Sequence, residues 1–441
     1  MYKKALKFKN DGSGLENPMT KRKKGCPYDC GLCNEHLTTT VLANIDITNR
    51  CNMHCPICFA NAEAKGYVYE PTKEEIISMM KVLRSEKPAP AYALQFSGGE
   101  PTVREDLPEL IKLAKEFGFP QVQIATNGIK IAESREYAKK LKDAGLNTVY
   151  LQFDGLKRET YIATRGFNAL PFKLKAIENC RKVGLKSIVL VPTLCKGIND
   201  DQVGDIIRFA VENIDVVRGV NVQPVSFSGR IDKEELSKMR ITLPDFVRLV
   251  EEQTNGEITK EDFYPVPFTV PVTKFLEAWQ NCSKVKGTVH PHCGLGTYAV
   301  VEDGKLIPLT RFADVEAFYH LLMENIEKIN SGRIGKVEAV TKIIRRLPRV
   351  IDKNKQPKSL NLLKIISEVL HKGTHEAAAE FHRHLLFIGG MHFMDAYNFD
   401  IERVQRCAIH YALPDGRVIP FCSYNTIHRE KFEKEHSIPI R

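Results

Sequence analysis

Between about residue 40 and residue 225 of this 441-residue chain, short β-rich runs alternate with amphipathic segments, and no other feature limits the fold as sharply. Val41 to Ile47, Tyr92 to Phe96, Gln121 to Ala125, Thr148 to Phe153, Ser187 to Val191 and Gly219 to Val225 predict six strands. Lys73 to Leu83, Leu107 to Phe117, Glu133 to Ala144, Pro171 to Val183 and Asp201 to Val211 predict helices between them. Strands joined through helices pair in parallel with right-handed crossovers, so the expected class is α/β: a partial, TIM-like (β/α)6 barrel. Its chemistry belongs on the loops after the strand C-termini. We expect three regions: a cysteine-bearing segment at 1–39, the barrel at 40–230, and a helical, metal-binding region at 231–441.

The chain has twelve cysteines. No charged-then-apolar leader opens it, and apolar stretches such as Leu385 to Ile388 fall far short of the ~20 residues a membrane helix needs. A cytoplasmic location is therefore expected, where cysteines serve metals or redox chemistry instead of disulfides. Cys51, Cys55 and Cys58 form a C-x3-C-x2-C run directly after the first predicted strand. Three thiolates suit a cubane cluster, since each of its four irons takes one external ligand and one iron stays open. A Cys3His zinc site through His54 is the ordinary alternative, but His54 adjoins Cys55, too close for easy tetrahedral geometry.

Cys26, Cys30 and Cys33 repeat that spacing, while Cys282, Cys293, Cys407 and Cys422 are dispersed late. The stretches from Cys293 to Thr310 and from Cys407 to Cys422 resemble each other, and each centres on an Asp-Gly hairpin turn. A turn at Asp415-Gly416 brings Cys407 and Cys422 together across the ladder; Thr310 stands in the first copy where Cys422 stands in the second. Seven candidate ligands thus lie beyond the primary trio. Either an eighth comes from His36, His292 or Thr310, or one auxiliary cluster keeps an open iron; zinc at some of these positions remains an alternative. Cys180 and Cys195 sit in apolar runs and read as core.

With Ser97-Gly98-Gly99-Glu100-Pro101 after the second strand, Thr126-Asn127-Gly128 after the third and Gln152-Phe153-Asp154-Gly155 after the fourth, the trio at 51–58 resembles the radical S-adenosylmethionine (SAM) superfamily. The resemblance implies a 4Fe-4S cluster on Cys51, Cys55 and Cys58, and SAM held by Ser97, Gly98, Gly99, Glu100, Asn127 and Asp154, with Ile57 against adenine. It implies hydrogen abstraction by a 5'-deoxyadenosyl radical and an external electron donor such as a ferredoxin. The paired hairpins resemble the auxiliary-cluster (SPASM/twitch-like) module of larger members, implying one or two auxiliary 4Fe-4S clusters. Together with Gly25 to His36, Asp46 to Cys51, Arg406 to Tyr411 and Pro420 to Asn425, the whole chain looks most like the archaeal tetraether lipid synthase group. That resemblance implies joining of phytanyl chains of archaeal diether phospholipids, with two SAM molecules consumed per bond. It also implies an auxiliary cluster holding the first alkyl radical. Members of that group begin with a further cysteine-rich segment, which these 441 residues do not include.

A net charge of +10 suits an anionic partner. From Lys336 to Lys372 ten basic residues face three acidic ones, with apolar residues (Ile343, Leu347, Leu360, Leu363, Ile366) at helical spacing. Two basic amphipathic helices, interrupted near Pro348 and Pro357, are expected there, suited to a peripheral contact with the inner membrane face or to a solvated domain face. No nucleic-acid motif accompanies the patch, so no nucleic-acid partner is expected. His371, His375, His382, His384 and His392 form no His-Glu-x-x-His motif and read as packing or solvated. His410 and Tyr411 are better placed to contact a cluster. Lipid coupling is the leading expectation. Radical C-methylation of a pterin-like coenzyme is the second, and an iron-sulfur electron carrier is the non-enzyme alternative.

Overall fold

The computed structural model describes residues 16–18, 20, 23–62, 66–366 and 385–439. His371, His375, His382 and His384 lie outside the described residues. The six expected strands form as β1 (Leu42–Thr48), β2 (Ala93–Gly98), β3 (Gln121–Thr126), β4 (Thr148–Gln152), β5 (Ile188–Val191) and β6 (Val217–Pro224), paired in parallel from β1 through β6. The crossovers carry α1 (Lys73–Arg84), α2 (Leu107–Glu116), α3 (Ile129–Glu133), α4 (Arg135–Asp143), α5 (Arg158–Arg165), α6 (Leu170–Val183) and α7 (Val203–Glu212). Start signals are local. Thr72 and Glu75 close a reciprocal capping box on α1, and Ser134 caps α4 through the Tyr137 amide.

Strand alternation sorts the two faces of the sheet. Ile45, Phe96, Ile124, Leu151, Leu190 and Val222 join one core with Met80, Leu110, Leu141, Ile177 and Ile207 from the helices. The intervening residues therefore look into the lumen. On β3 the lumen-facing Gln121, Gln123 and Ala125 are partly exposed while Val122, Ile124 and Thr126 are buried.

The sheet does not stop at six strands. β7 (Gly294–Glu302) and β8 (Lys305–Pro308) make the first Asp-Gly hairpin, β9 (Leu385–Met391) follows, and β10 (Ile409–Ala412) and β11 (Val418–Pro420) make the second. β9 pairs in parallel with β6, and β10 in parallel with β1. Among the described residues the order is β8-β7-β9-β6-β5-β4-β3-β2-β1-β10-β11 within a thirteen-stranded sheet. The ribbon curls: Cys58 after β1 and Arg230 after β6 form a reciprocal backbone bridge of 2.8 Å in each direction, although four strands separate β1 from β6.

In the segment at 336–372, Arg333–Val350 is a helix with Pro348 in its last turn, and residues 362–366 are helical again beyond Pro357, as two interrupted helices require. The environment of the apolar stripe is what departs from the membrane expectation. On the first helix the stripe (Ala339, Ile343, Leu347) belongs to a second core with Phe275, Phe312, Leu321 and Leu385. That stripe is packed inside the protein and unavailable to a membrane surface; the basic residues are its solvated face. Among the described residues no helix is long and apolar enough to cross a membrane.

Candidate active site

The loop from Thr48 to Cys58 is clasped by the two loops beside it. Gly99 and Glu100 donate their amides to the carbonyls of Thr48 (2.8 Å) and Arg50 (2.9 Å). The approach requires glycine: Gly98 has φ +128°, and a Cβ there would lie 2.1 Å from the Thr48 carbonyl oxygen, while one on Gly99 would lie 2.3 Å from that of Arg50. The Glu100 side chain, 1% exposed, accepts from the Thr126 hydroxyl (2.6 Å), the Asn127 amide (2.7 Å) and both the amide and hydroxyl of Thr102. It is a buried strut between loops. Asn127 in turn donates 2.7 Å to Asn52 on the cysteine loop, and the Ser97 hydroxyl donates 2.7 Å to Asp46 on β1.

Asp154 is fully buried and paired with Arg165, at 2.6 Å to Nε and 2.8 Å to Nη2. Nη1 of Arg165 donates 3.0 Å to the Ile57 carbonyl, and the guanidinium lies beside Cys55. Burial raises the Cys55 thiol and Arg165 opposes it; burial and nearby Glu100 push Cys51 up to about 12. Arg230 holds the other side, donating 2.7 Å to the Cys55 carbonyl. Ile57 packs with Cys195, Val225 and Phe227. Asp154 thus reaches the cysteine loop through Arg165, a residue with no motif around it to signal its role. Lys173, also unsignalled, is buried on α6 with Nζ bonded to the Asn127 carbonyl (2.5 Å) and Gln152 Oε1 (2.6 Å); burial lowers it to about 7.

The structure groups the other cysteines as two further trios. Cys26, Cys30 and Cys33 lie together: Cys26 and Cys30 share a hydrogen bond that lowers the first thiol and raises the second, and Cys33 adds to the rise at Cys30. Cys293 before β7, Cys407 before β10 and Cys422 after β11 also meet, beside the Arg403 guanidinium, although β7 and β10 lie towards opposite ends of the strand order. The trio marks the seam where the curled sheet comes round on itself. Burial pushes Cys407 up to about 12 and Arg403 draws it back. The Met394 amide lies 3.2 Å from Cys422 Sγ, and His392, on the same crossing segment, donates its amide 3.0 Å to the Cys293 carbonyl. The two trios adjoin through Cys30 Sγ and Ser423 Oγ at 3.2 Å.

Cys282 is exposed and stands apart from these groups. Thr310 bonds to Asp262 and His292 packs edge-on to His290. His36 Nε2 sits 2.8 Å from the Cys407 carbonyl and 3.1 Å from His410 Nε2, behind the trio; burial holds it at about 4, a neutral imidazole. Tyr411 binds Arg429, whose guanidinium also pairs with Asp46 (2.6 Å) and Glu433 (2.8 Å). Among the described residues no three His, Cys, Asp or Glu side chains converge on a position for a single metal ion. A cubane takes each thiolate on a different iron, so three neighbouring cysteines with cationic Arg165 or Arg403 beside them fit such a cluster.

A family model described as the radical SAM superfamily matches residues 45–210. A curated relative, the 7,8-dihydro-6-hydroxymethylpterin dimethyltransferase of Methanocaldococcus jannaschii, is 57% identical over 443 aligned positions, spanning 100% of this chain and 87% of the relative. The chain belongs to the radical SAM superfamily. With membership come a 4Fe-4S cluster and SAM, and relatives with auxiliary clusters. A GTP 3',8-cyclase of Clostridium acetobutylicum is 29% identical over 56% of this chain and 79% of its own length. Among solved structures, methylornithine synthase aligns over 49% of this chain and 64% of its own, at 18% identity and a TM-score of 0.37.

These findings overturn the lipid-coupling expectation. The full-length relative is named for a pterin, so the segments that suggested the lipid synthases, Gly25 to His36, Asp46 to Cys51, Arg406 to Tyr411 and Pro420 to Asn425, do not single out that group. The lumen gives the physical reason. Where two alkyl chains would need an apolar tunnel, the inner strand faces carry Asn44, Gln95, Gln123, Tyr150, Asn221 and Gln223. These groups bond mainly to one another, and alkyl chains would offer nothing to the two atoms left over, Asn44 Nδ2 and Asn221 Oδ1, at about 1–3 kcal/mol each.

Proposed function

We propose that this radical SAM enzyme attaches methyl groups to carbon atoms of a reduced pterin, 7,8-dihydro-6-hydroxymethylpterin or a near analogue. The observation that carries the reading is the 57% identity to the pterin dimethyltransferase along the whole chain. Cys51, Cys55 and Cys58 would hold the primary cluster, with Gly98, Gly99 and Asn127 shaping the SAM site around it. The remaining two trios, Cys26/Cys30/Cys33 and Cys293/Cys407/Cys422, would hold auxiliary clusters. Bound there, the cluster and SAM supply a carbon-centred radical able to take hydrogen from an unactivated C–H bond.

The chain's own residues do the rest. Arg165 and Arg403 place positive charge beside thiols that burial would otherwise keep protonated, favouring the thiolates that metal binding requires. The glycine clasp fixes the cysteine loop against β2, and the backbone bridge between Cys58 and Arg230 ties that loop to the segment after β6. The supporting test is anaerobic turnover with a one-electron reductant, SAM and 7,8-dihydro-6-hydroxymethylpterin. Release of 5'-deoxyadenosine should rise when the pterin is added; a rate indifferent to the pterin would contradict the reading.

A further inference from the structure

On the inner faces of five strands, β1 to β4 and β6, a belt of amide and phenol groups lies round the lumen in two hydrogen-bonded sets. Gln95 donates 2.7 Å to Asn44 Oδ1, and Gln123 donates 2.7 Å to Gln95 Oε1, linking β1, β2 and β3. On the far side Asn221 Nδ2 donates to the Tyr150 hydroxyl, which also bonds Gln223; burial pushes that phenol up to about 12, so it stays protonated. Two atoms of this belt have no partner. Asn44 Nδ2 and Asn221 Oδ1 are buried and unbonded, on residues 0% and 7% exposed. One is a donor, the other an acceptor. A strand face meant for packing would carry apolar residues, as the opposite face of the same strands does. A belt that satisfies itself except at one donor and one acceptor is built for a ligand that completes it.

We propose that Asn44 and Asn221 recognise the heterocycle of the substrate. Asn44 Nδ2 donates to a ring carbonyl or ring nitrogen, and Asn221 Oδ1 accepts from a ring N–H or amino group. The class of ligand is a flat ring bearing a 2-amino-4-oxopyrimidine edge, the edge a pterin presents. The inference rests on the pterin reading above and names the residues that read it. Gln95, Gln123 and Tyr150 are positioning residues, which fix the rotamers of the two asparagines. Specificity follows: a ring lacking the edge leaves a buried donor and acceptor unmatched and is rejected.

Equilibrium dialysis of 7,8-dihydro-6-hydroxymethylpterin against the anaerobic, cluster-loaded full chain tests this. Asn44→Ala and Asn221→Ala should each weaken binding about tenfold or more. Asn44→Asp, which keeps the shape and replaces the donor by an acceptor, should weaken it as much as alanine does. Melting temperature and iron content identify any variant whose loss is a folding failure, and the Asp variant serves where Ala fails to fold. Unchanged dissociation constants in well-folded Asn44 and Asn221 variants, with the parent binding the pterin, would overturn the assignment. A parent that ignores the pterin but binds guanosine triphosphate, with the same dependence on both asparagines, would keep the belt and overturn the proposed substrate. A parent that binds neither would overturn the belt.

Discussion

Arg165 carries more of the site than any residue of the recognisable motifs. It neutralises buried Asp154, lies beside Cys55 and holds the Ile57 carbonyl. Replacing it by methionine leaves Asp154 charged and unpartnered, so Arg165→Met should cost about 3–5 kcal/mol in unfolding free energy and lower the iron bound per chain. Denaturant melts and iron assays check both. Glu86 gives a pH signature. It is 2% exposed, bonded to the Thr40 hydroxyl at 2.6 Å, and burial raises its carboxyl to about 7. A raised folded pKa contributes stability that is full below the unfolded value near 4.5 and lost as pH rises through 7. Relative to Glu86→Gln, the parent should therefore lose up to about 3 kcal/mol between those values. Unfolding curves that stay parallel across that range would contradict it. Neither residue was visible in the sequence, because an isolated Arg or Glu outside any motif reads as surface until tertiary contacts bury it.

Elements were legible where periodicity was strong. The six strands and the helices between them appear within a few residues of the expected bounds, because β-branched runs and amphipathic stretches set them locally. Two short helices at Ile129–Glu133 and Arg158–Arg165 lie inside what read as loops, and β9 was missed. Leu385–Met391 is a continuous apolar run with no alternation, and it becomes a strand only because β6 offers an edge more than 150 residues earlier in the chain. The contact between the Gly98–Gly99 loop and the cysteine loop is an element-scale device, and a methyl group breaks it. Gly99→Ala drives a Cβ to 2.3 Å from the Arg50 carbonyl oxygen. It should lower SAM cleavage about 100-fold while leaving the helical circular-dichroism signal in place. Cleavage at the parent rate would show that the clasp does not position the site.

At the scale of the whole molecule, twelve cysteines resolve into three trios, two core residues and exposed Cys282. Spacing alone revealed the two compact trios. The third joins Cys293 to Cys407 and Cys422, which lie towards opposite ends of a curled sheet, a proximity set by the curl and by no local pattern. Cys55→Ala and Cys407→Ala should remove separate, additive portions of the bound iron, and Cys282→Ser none, as read by iron analysis of reconstituted protein. The substrate was the least legible feature. The motifs at 51–58 and 98–100 point to the superfamily and name no substrate, and the polar lumen shows only once alternation and sheet curvature put Asn44 and Asn221 on inner strand faces. The most direct measurement is the mass spectrum of 7,8-dihydro-6-hydroxymethylpterin after anaerobic turnover with reductant and SAM, each methyl group being supplied by a separate one-carbon donor: excess SAM in one reaction and a methylene-bearing reduced folate in a parallel one. The account predicts a pterin heavier by one or more methyl groups on carbon, formed together with 5'-deoxyadenosine. An unaltered pterin beside accumulating 5'-deoxyadenosine would contradict it.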